Sequence, residues 1–198
     1  MSDEVVALDV NRAFLAQDGP GMDTHLLVGD ATALPISDEC VDTVVATEVL
    51  EHVPSDSAMA SEISRVLRPD GHLIITVPND GVFGFLDPTY FSPARAVLRI
   101  IGKETQPIHR HYSLEKITTV LGKDFRIEEV SRTGSWLHGV CVLLVQLSRL
   151  TGSKRLERTF NSIGGYDYQL DYGKAAYNLA IRAMKVRRQQ PSVASERP

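Results

Sequence analysis

The chain has 198 residues, 43% of them apolar, which is enough for one folded domain with a buried core. Its formal net charge of −4 argues against a nucleic-acid partner, because nucleic-acid binders carry a basic excess that neutralises phosphates. Cys40 and Cys141 lie far apart without metal-ligand spacing, and the sequence has neither a cleavable signal nor a run of about 18 apolar residues. These features predict a cytoplasmic protein.

The first part of the chain alternates between strand and helix patterns. Val5–Asp9 predicts an apolar strand with Asp9 at its carboxyl end, and residues 11–17 predict a short helix. After a turn-rich linker, residues 25–30 predict the next strand and residues 31–40 a surface loop.

Two further strands are predicted at 44–47 and 73–77, with a helix between them over about 57–67. A Pro-Asp-Gly turn at 69–71 precedes the second of them, with proline fixing the first turn dihedral and glycine accepting a positive φ. Both strands are continuously apolar, as strands buried on both faces are. We therefore predict an α/β fold, a Rossmann-like and mostly parallel sheet with helices on both faces.

Residues 83–107 predict an insertion over the mouth of a ligand site. Within it, residues 92–103 predict a helix with apolar residues on one face and Arg95, Arg99 and Lys103 on another. Such a helix is typical of a segment that lies on an anionic membrane surface, and packing on its own domain is the alternative. We expect a weak peripheral membrane contact at most.

The last part of the chain predicts four elements. Ser113 caps a helix that Gly122 ends, and residues 125–130 alternate between apolar and charged residues as a strand does. Residues 136–150 predict an apolar core helix that is too short to span a membrane. Residues 176–184 predict a final strand at the edge of the domain, and their alanine content also permits a helix.

Two motifs carry a resemblance to a known family. The first is Thr-Glu-Val-Leu-Glu-His-Val at 47–53, directly after an apolar strand, and the second is Leu-Arg-Pro-Asp-Gly-His-Leu-Ile-Ile-Thr-Val-Pro-Asn at 67–79. Over about residues 4–130 the chain resembles the class I S-adenosylmethionine-dependent methyltransferases of the type 11, ubiquinone-biosynthesis-like group. The resemblance implies S-adenosylmethionine as the cofactor and methyl transfer to a small-molecule acceptor, including a lipid-like one.

The resemblance also implies a set of cofactor contacts. Asp9 would accept hydrogen bonds from the ribose hydroxyls, and Asp30 with Ala31 would meet the adenine ring. Thr47 and Glu48 would face the methionine part of the cofactor. The alternatives are a solvated strand terminus or helix cap at Asp9 and an ordinary Asp turn at Asp30.

His52 is the candidate catalytic residue, as a general base or as a residue that orients the acceptor. A metal is not favoured, but Glu48, Glu51 and His52 together could hold a divalent cation such as Mg²⁺. A simple packing role at the start of a loop is the other alternative for His52.

The run His109-Arg110-His111-Tyr112-Ser113 resembles the border of the acceptor cavity in the same group. On that basis His109, Arg110 and Tyr112 are predicted to lie on the substrate side. Equally, Arg110 and Tyr112 could form a structural pair at a helix start.

One departure from the family concerns the beginning of the chain. The family's first strand ends in a glycine-rich loop that holds the methionine end of the cofactor, and here only Met1–Glu4 precede the strand that resembles the second one. We expect a single domain over residues 1–188 that lacks the first strand, glycine-rich loop and first helix, followed by a disordered tail at 189–198.

Two other functions stay open on the sequence. A catalytically inactive or truncated methyltransferase-like protein with an interaction role is the first, because loss of a central strand would leave two inner edges unpaired. A nucleotide-dependent dehydrogenase or epimerase is the second, because an acidic residue after the second strand also suits NAD. The Gly-Asp pair at 29–30 and the Glu-Val-Leu-Glu-His run at 48–52 argue against a dehydrogenase or epimerase.

Overall fold

The computed structural model describes residues 4–15, 24–80, 110–167 and 170–187. The predicted insertion at 83–107, with its helix at 92–103, lies outside the described residues. The same holds for His109 and for the tail at 189–198.

Six strands and five helices form the described part of the chain. The strands are β1 (Val5–Asp9), β2 (Thr24–Val28), β3 (Val41–Thr47), β4 (Leu67–Pro78), β5 (Phe125–Thr133) and β6 (Asn178–Lys185). The helices are α1 (Arg12–Leu15), α2 (Asp56–Val66), α3 (Leu114–Leu121), α4 (Trp136–Leu150) and α5 (Lys154–Asp167). Within these ranges, no helix is long and apolar enough to cross a membrane.

The described strands form two sheets. β1 and β2 pair in parallel, and a second sheet has the order β3-β4-β6-β5. β3 and β4 are parallel, while β6 runs antiparallel to both of its neighbours. The fold is therefore α/β, with mixed sheets that contain parallel strands. The final strand was expected at the edge of the domain, and this was wrong, because β6 lies between β4 and β5.

The larger sheet contains the main core. Leu73, Ile75 and Val77 of β4 are buried, as are Leu179 and Ile181 of the neighbouring β6. The following buried residues pack with them from β3, the loop after it, α2, the segment before α3, α3 and β5: Ala46, Leu50, Met59, Ile63, Tyr112, Ile117, Leu121 and Phe125. Helix α2 packs on this face of the sheet, whereas Ile74 on the other face of β4 is 39% exposed, so the prediction that this strand is buried on both faces was wrong.

The Pro-Asp-Gly segment differs from its prediction. It lies within β4, where the pairing with β3 skips from Leu67 to His72. Asp70, rather than Gly71, has the positive φ, 63°. Gly71 is needed for another reason, because a Cβ there would lie 2.9 Å from the Arg68 carbonyl oxygen and 3.0 Å from that of Asp42.

The helix ends follow local capping chemistry. Ser55 accepts a hydrogen bond from the Ala58 N–H at the start of α2, and Ser113 accepts one from Lys116 N–H at the start of α3. Gly122, with φ at 57°, ends α3. The predicted bounds of α3 and α4 are confirmed, whereas α5 was not predicted at all.

Candidate functional site

The carboxyl ends of β1 and β2 bring Asp9 and Asp30 to one edge. Asp9 pairs with Val28 across the two strands, and the Gly29 N–H donates to the Asp9 carbonyl at 3.1 Å. The Asp9 carboxylate accepts the Asn11 N–H at 2.7 Å. Asp9 is therefore held in a local turn at the end of its strand, where ligands bind in open α/β sheets.

The Asp30 carboxylate forms a turn of the same kind. Its Oδ1 accepts the Thr32 N–H at 2.8 Å and the Thr32 hydroxyl at 2.7 Å. These hydrogen bonds lower the pKa of Asp30, the backbone one most strongly. Asp30 is exposed and stays ionised at neutral pH, and the neighbouring Ala31 packs partly against the core.

Gly29 permits the close approach of the strand end to the following loop. A Cβ at this position would lie 2.9 Å from Pro35 Cδ and 3.1 Å from Leu8 Cδ1. Any larger residue must therefore displace the loop or β1. The position of Asp30 thus depends on the absence of a side chain at Gly29.

The loop between β2 and β3 is fixed to helix α2. Arg65 donates to the carbonyls of Leu34 at 2.9 Å and Ile36 at 2.7 Å, and pairs with Glu62 at 2.7 Å. Glu62 also accepts the Leu34 N–H at 2.8 Å, and the hydrogen bond from Arg65 lowers the pKa of Glu62. This network connects the Asp30 turn to the larger sheet.

Glu48 lies at the carboxyl end of β3 in a strained conformation, with φ at 53°. Its Oε1 accepts the Thr76 hydroxyl at 2.9 Å and the Asn178 amide at 3.3 Å, and its N–H donates to the Thr76 carbonyl at 3.1 Å. The adjacent Thr47 is exposed. The ends of β3, β4 and β6 therefore meet at Glu48.

Thr76 and Asn178 were not predicted as site residues. Thr76 had a usable signal, because it is the polar residue at the end of an apolar strand next to β3. Asn178 had none, because its approach to Glu48 depends on where β6 pairs.

Glu51 is buried, with 1% of its surface exposed. Neither of its carboxylate oxygens accepts a hydrogen bond from the described residues. Burial raises the pKa of Glu51 to about 7, the Glu48 charge adds to the rise, and Arg110 opposes it. Glu51 is therefore a carboxyl group that changes protonation near neutral pH.

His52 follows Glu51 on the loop after β3, and its side chain is 45% exposed. Its Nε2 lies 3.7 Å from Glu51 Oε1, and its backbone N–H donates to the Val49 carbonyl at 3.0 Å. Across the described ranges, no group of three His, Cys, Asp or Glu side chains could hold a metal ion. Glu48, Glu51 and His52 therefore do not form such a group.

Arg110 and Tyr112 contact the loop that carries Glu51. Arg110 donates to the carbonyls of Leu50, at 2.8 Å, and Val53, and its Nη1 lies 2.9 Å from Asp56 Oδ1. Tyr112 is fully buried and donates to the Leu50 carbonyl at 3.2 Å, and burial raises its pKa. These contacts are those expected of the structural alternative, and the substrate-side role of both residues stays a prediction.

The predicted residues thus form two groups. Asp9, Asp30 and Ala31 belong to the β1–β2 sheet and the loop after it, and Thr47 and Glu48 end the edge strand of the other sheet. Among the described residues no hydrogen-bonded ladder joins β1 to β3. Val45, on the edge strand β3, is 63% exposed.

Residues 1–75 match a family model described as a methyltransferase domain. Over this range the chain is similar to the class I S-adenosylmethionine-dependent methyltransferases. The matched range includes Asp9, Asp30, Thr47 and Glu48.

Two curated relatives are similar over parts of the chain. A malonyl-[acyl-carrier protein] O-methyltransferase from Methylococcus capsulatus is 40% identical over 74 residues, which are 35% of this chain and 27% of that protein. A demethylmenaquinone methyltransferase from Beutenbergia cavernae is 32% identical over 103 residues, which are 48% of this chain and 43% of that protein. The chain spans less than half the length of either relative.

The fold is also that of solved methyltransferase structures. A S-adenosylmethionine-dependent methyltransferase from Methanosarcina mazei superimposes with a TM-score of 0.57 at 17% identity, covering 93% of this chain and 83% of that one. At this identity the likeness concerns the fold alone.

Proposed function

We propose that this chain binds S-adenosylmethionine and transfers its methyl group to a small, lipid-like acceptor. The observation that carries the proposal is that Asp9, which pairs with Val28, and Asp30, two residues beyond Val28, both lie at the carboxyl ends of β1 and β2. Carboxylate oxygens accept hydrogen bonds and therefore fit the hydroxyl and amino donors of an adenosine, with the Ala31 backbone beside the ring. Thr47 and Glu48, at the end of β3, would meet the methionine part.

The protein has to supply little of the chemistry in this reaction. Bound S-adenosylmethionine supplies a methyl group on a positively charged sulfur, which is a good leaving group. The protein's part is to hold the acceptor in line with the methyl carbon, and orientation of this kind supplies much of the rate. An ionised carboxylate needs no base, whereas a proton must leave when the acceptor atom carries one, as a hydroxyl oxygen or a ring carbon does.

His52 is the proposed general base for such an acceptor. Its imidazole is about half exposed and can reach a molecule at the surface of the loop, whereas Glu51 is enclosed. A neutral imidazole is also a proton acceptor suited to neutral pH. Arg110 holds the loop that carries both residues.

The proposed class of acceptor rests on the similarity to the curated relatives, because no contact described above identifies an acceptor. The names of the relatives refer to a quinone precursor and to an acyl group on a carrier protein. A lipid-like acceptor is consistent with the quinone, and it would bring the protein to a membrane surface as a peripheral contact.

An interaction protein without catalysis is the alternative function. Two observations favour it: the larger sheet ends at an edge where Val45 is exposed, and Val5, Val6 and Leu26 of the smaller sheet are exposed as well. Exposed apolar strands at a sheet edge readily bind another strand.

Separate titrations with S-adenosylmethionine and with NAD test the proposal. Calorimetry that detects heat only for S-adenosylmethionine supports it, and methyl transfer from labelled cofactor to demethylmenaquinone tests the acceptor class. Heat with NAD alone would favour the dehydrogenase reading, and no heat with either ligand would favour the interaction role.

A further inference from the structure

Helices α4 and α5 form a hairpin with an exposed apolar face. On α4, Val140 and Leu147 are exposed and lie seven residues apart, which places them on one side of the helix. On α5, Leu156 and Ile163 have the same spacing, and Tyr166 is 66% exposed. We call these five residues the hairpin face.

The exposed residues of the two helices lie on the same side of the hairpin. Leu137 of α4 lines a cavity of about 380 Å³ together with Ile163 and Tyr166 of α5. Leu137 is one helical turn from Val140, so this cavity places the apolar side of α4 next to that of α5 at the base of the hairpin.

The opposite side of α4 is the buried one. Cys141, Val145 and Ser148 are buried and lie about a quarter turn or more from Val140 and Leu147. A buried side accounts for the stability of this helix within the domain. The exposed apolar side has no such explanation among the described residues.

The base of the hairpin is fixed to the larger sheet through Asp167. Its carboxylate accepts the Ser135 N–H at 2.7 Å, the Ser135 hydroxyl at 2.8 Å and the Tyr172 hydroxyl at 2.6 Å. Ser135 caps α4, and Asp167 is the last residue of α5. The hairpin is therefore held at its base, and its tip is the turn at 151–153.

The tip is strongly basic. Residues 149–158 contain four basic residues and one acidic residue, although the whole chain has a net charge of −4. The basic ones are Arg149, Lys154, Arg155 and Arg158, all of them exposed. Lys154 and Arg158 are each two residues from Leu156 and project from the other side of α5. A helix with cations on one side and apolar residues on the other is typical of a bilayer surface that contains anionic lipids.

We propose that the hairpin face docks on an anionic lipid surface, with the basic tip contacting headgroups and the apolar residues entering the boundary with the acyl chains. A second copy of the chain fits less well, because it would bring the same four cations to the contact. This docking does not depend on methyl transfer, and it is distinct from the helix at 92–103, which lies outside the described residues.

Vesicle co-sedimentation of the full chain tests the proposal in the absence of cofactor and acceptor, so its outcome is independent of the proposed function. Vesicles of phosphatidylcholine with phosphatidylserine are compared with phosphatidylcholine alone. We expect binding to the anionic vesicles only, with a marked loss at roughly 0.15 M salt and above. No binding to the anionic vesicles overturns the proposal.

Two double variants locate the surface. Arg155→Glu with Arg158→Glu, and separately Leu156→Ser with Ile163→Ser, should each reduce the bound fraction about tenfold or more. The matched control is Lys123→Glu with Arg187→Glu, which makes the same change of charge at exposed residues elsewhere and should bind as the parent does. Equal loss in the control, or no loss in either hairpin variant, overturns the proposal.

Two further measurements distinguish docking of the hairpin face on lipid from binding through residues 92–103 and from contact between two copies of the chain. If Arg95→Glu with Arg99→Glu alone abolishes binding, the 92–103 segment is the contact and the proposal fails. Light scattering on the same samples measures the oligomeric state. If Leu156→Ser with Ile163→Ser turns a dimer into a monomer and leaves vesicle binding unchanged, the hairpin face joins two copies and the proposal fails. Unchanged circular dichroism confirms that each variant is folded.

Discussion

The Glu48 carboxylate raises the pKa of Glu51, the buried residue on the loop that follows β3. The main cause of the rise is burial, because removing a carboxylate from water disfavours its charged form. Glu48 itself is held by Thr76 and Asn178 and cannot swing away without losing those hydrogen bonds. Ionisation of Glu51 therefore destabilises the folded protein.

The first prediction concerns stability and pH. The pKa of Glu51 is about 7 in the folded protein and 4.5 ordinarily, so the folded protein binds more protons than the unfolded chain between these values. The stabilisation is complete below about pH 4.5 and is lost as the pH rises through about 7. We expect Glu51→Gln to raise the free energy of unfolding at about pH 8 by about 2 kcal/mol relative to the parent, and by less at about pH 5.

Urea unfolding of parent and variant at both pH values measures this difference. Glu115→Gln, at an exposed position of α3, is the control and should shift neither value appreciably. An identical pH dependence in the parent and in Glu51→Gln would show that Glu51 does not titrate in this range.

The second prediction concerns Arg110. Replacement by alanine removes the hydrogen bonds to the Leu50 and Val53 carbonyls and leaves Asp56 without its cation, so we expect a loss of about 3 kcal/mol of stability. Arg126→Ala, which removes an exposed ion pair, should cost less than about 1 kcal/mol. Thermal unfolding compares the two. A stable Arg110→Ala protein with a raised KM for the acceptor would instead assign the residue to the acceptor.

The third prediction concerns Gly29. Gly29→Ala places a Cβ against Pro35 and Leu8, so we expect a loss of about 1–3 kcal/mol and weaker cofactor binding through displacement of Asp30. Gly165→Ala in α5 meets open space and should stabilise the protein by up to about 1 kcal/mol. Melting temperatures test whether Gly29→Ala lowers the stability and Gly165→Ala raises it. Equal effects would contradict the packing argument.

The fourth prediction concerns the strained residue in β4. Asp70 has a φ of 63°, which glycine adopts at lower cost, and its contact with Arg187 is exposed and long, at 3.6 Å. Asp70→Gly should therefore leave the stability unchanged or raise it by up to about 1 kcal/mol. Gly71→Ala should destabilise the protein, since its Cβ would meet backbone oxygens. Loss of stability in Asp70→Gly larger than in Gly71→Ala would refute this account of the turn.

Local signals predicted most helices and strands of this chain. Ser113 and Gly122 mark the ends of α3 in sequence, and a long apolar period marks α4. Helix α5 was missed because it is mostly polar and contains Gly164 and Gly165, so its stability comes from packing on α4 and from Asp167. Propensity alone does not detect such a helix.

Long-range pairing was the part that local signals could not predict. The position of β6 between β4 and β5 depends on residues about a hundred positions apart in the chain, for example Ile75 with Ile181. The contact of Asn178 with Glu48 follows from that pairing. Strand ends such as Asp9 and Glu48 were predictable, because an apolar run that stops at an acidic residue is visible in the sequence.

The fifth prediction tests cofactor binding by Asp9. Calorimetry with S-adenosylmethionine and with its demethylated product should show weak binding to the parent, and Asp9→Ala should weaken it by at least about tenfold, or about 1.4 kcal/mol. Asp9→Asn keeps an oxygen for the Asn11 N–H and should also lose affinity, which separates ligand contact from turn stability. Asp42→Ala, at another exposed aspartate, should bind as the parent does. Tight binding that Asp9→Ala leaves unchanged would contradict the proposed site.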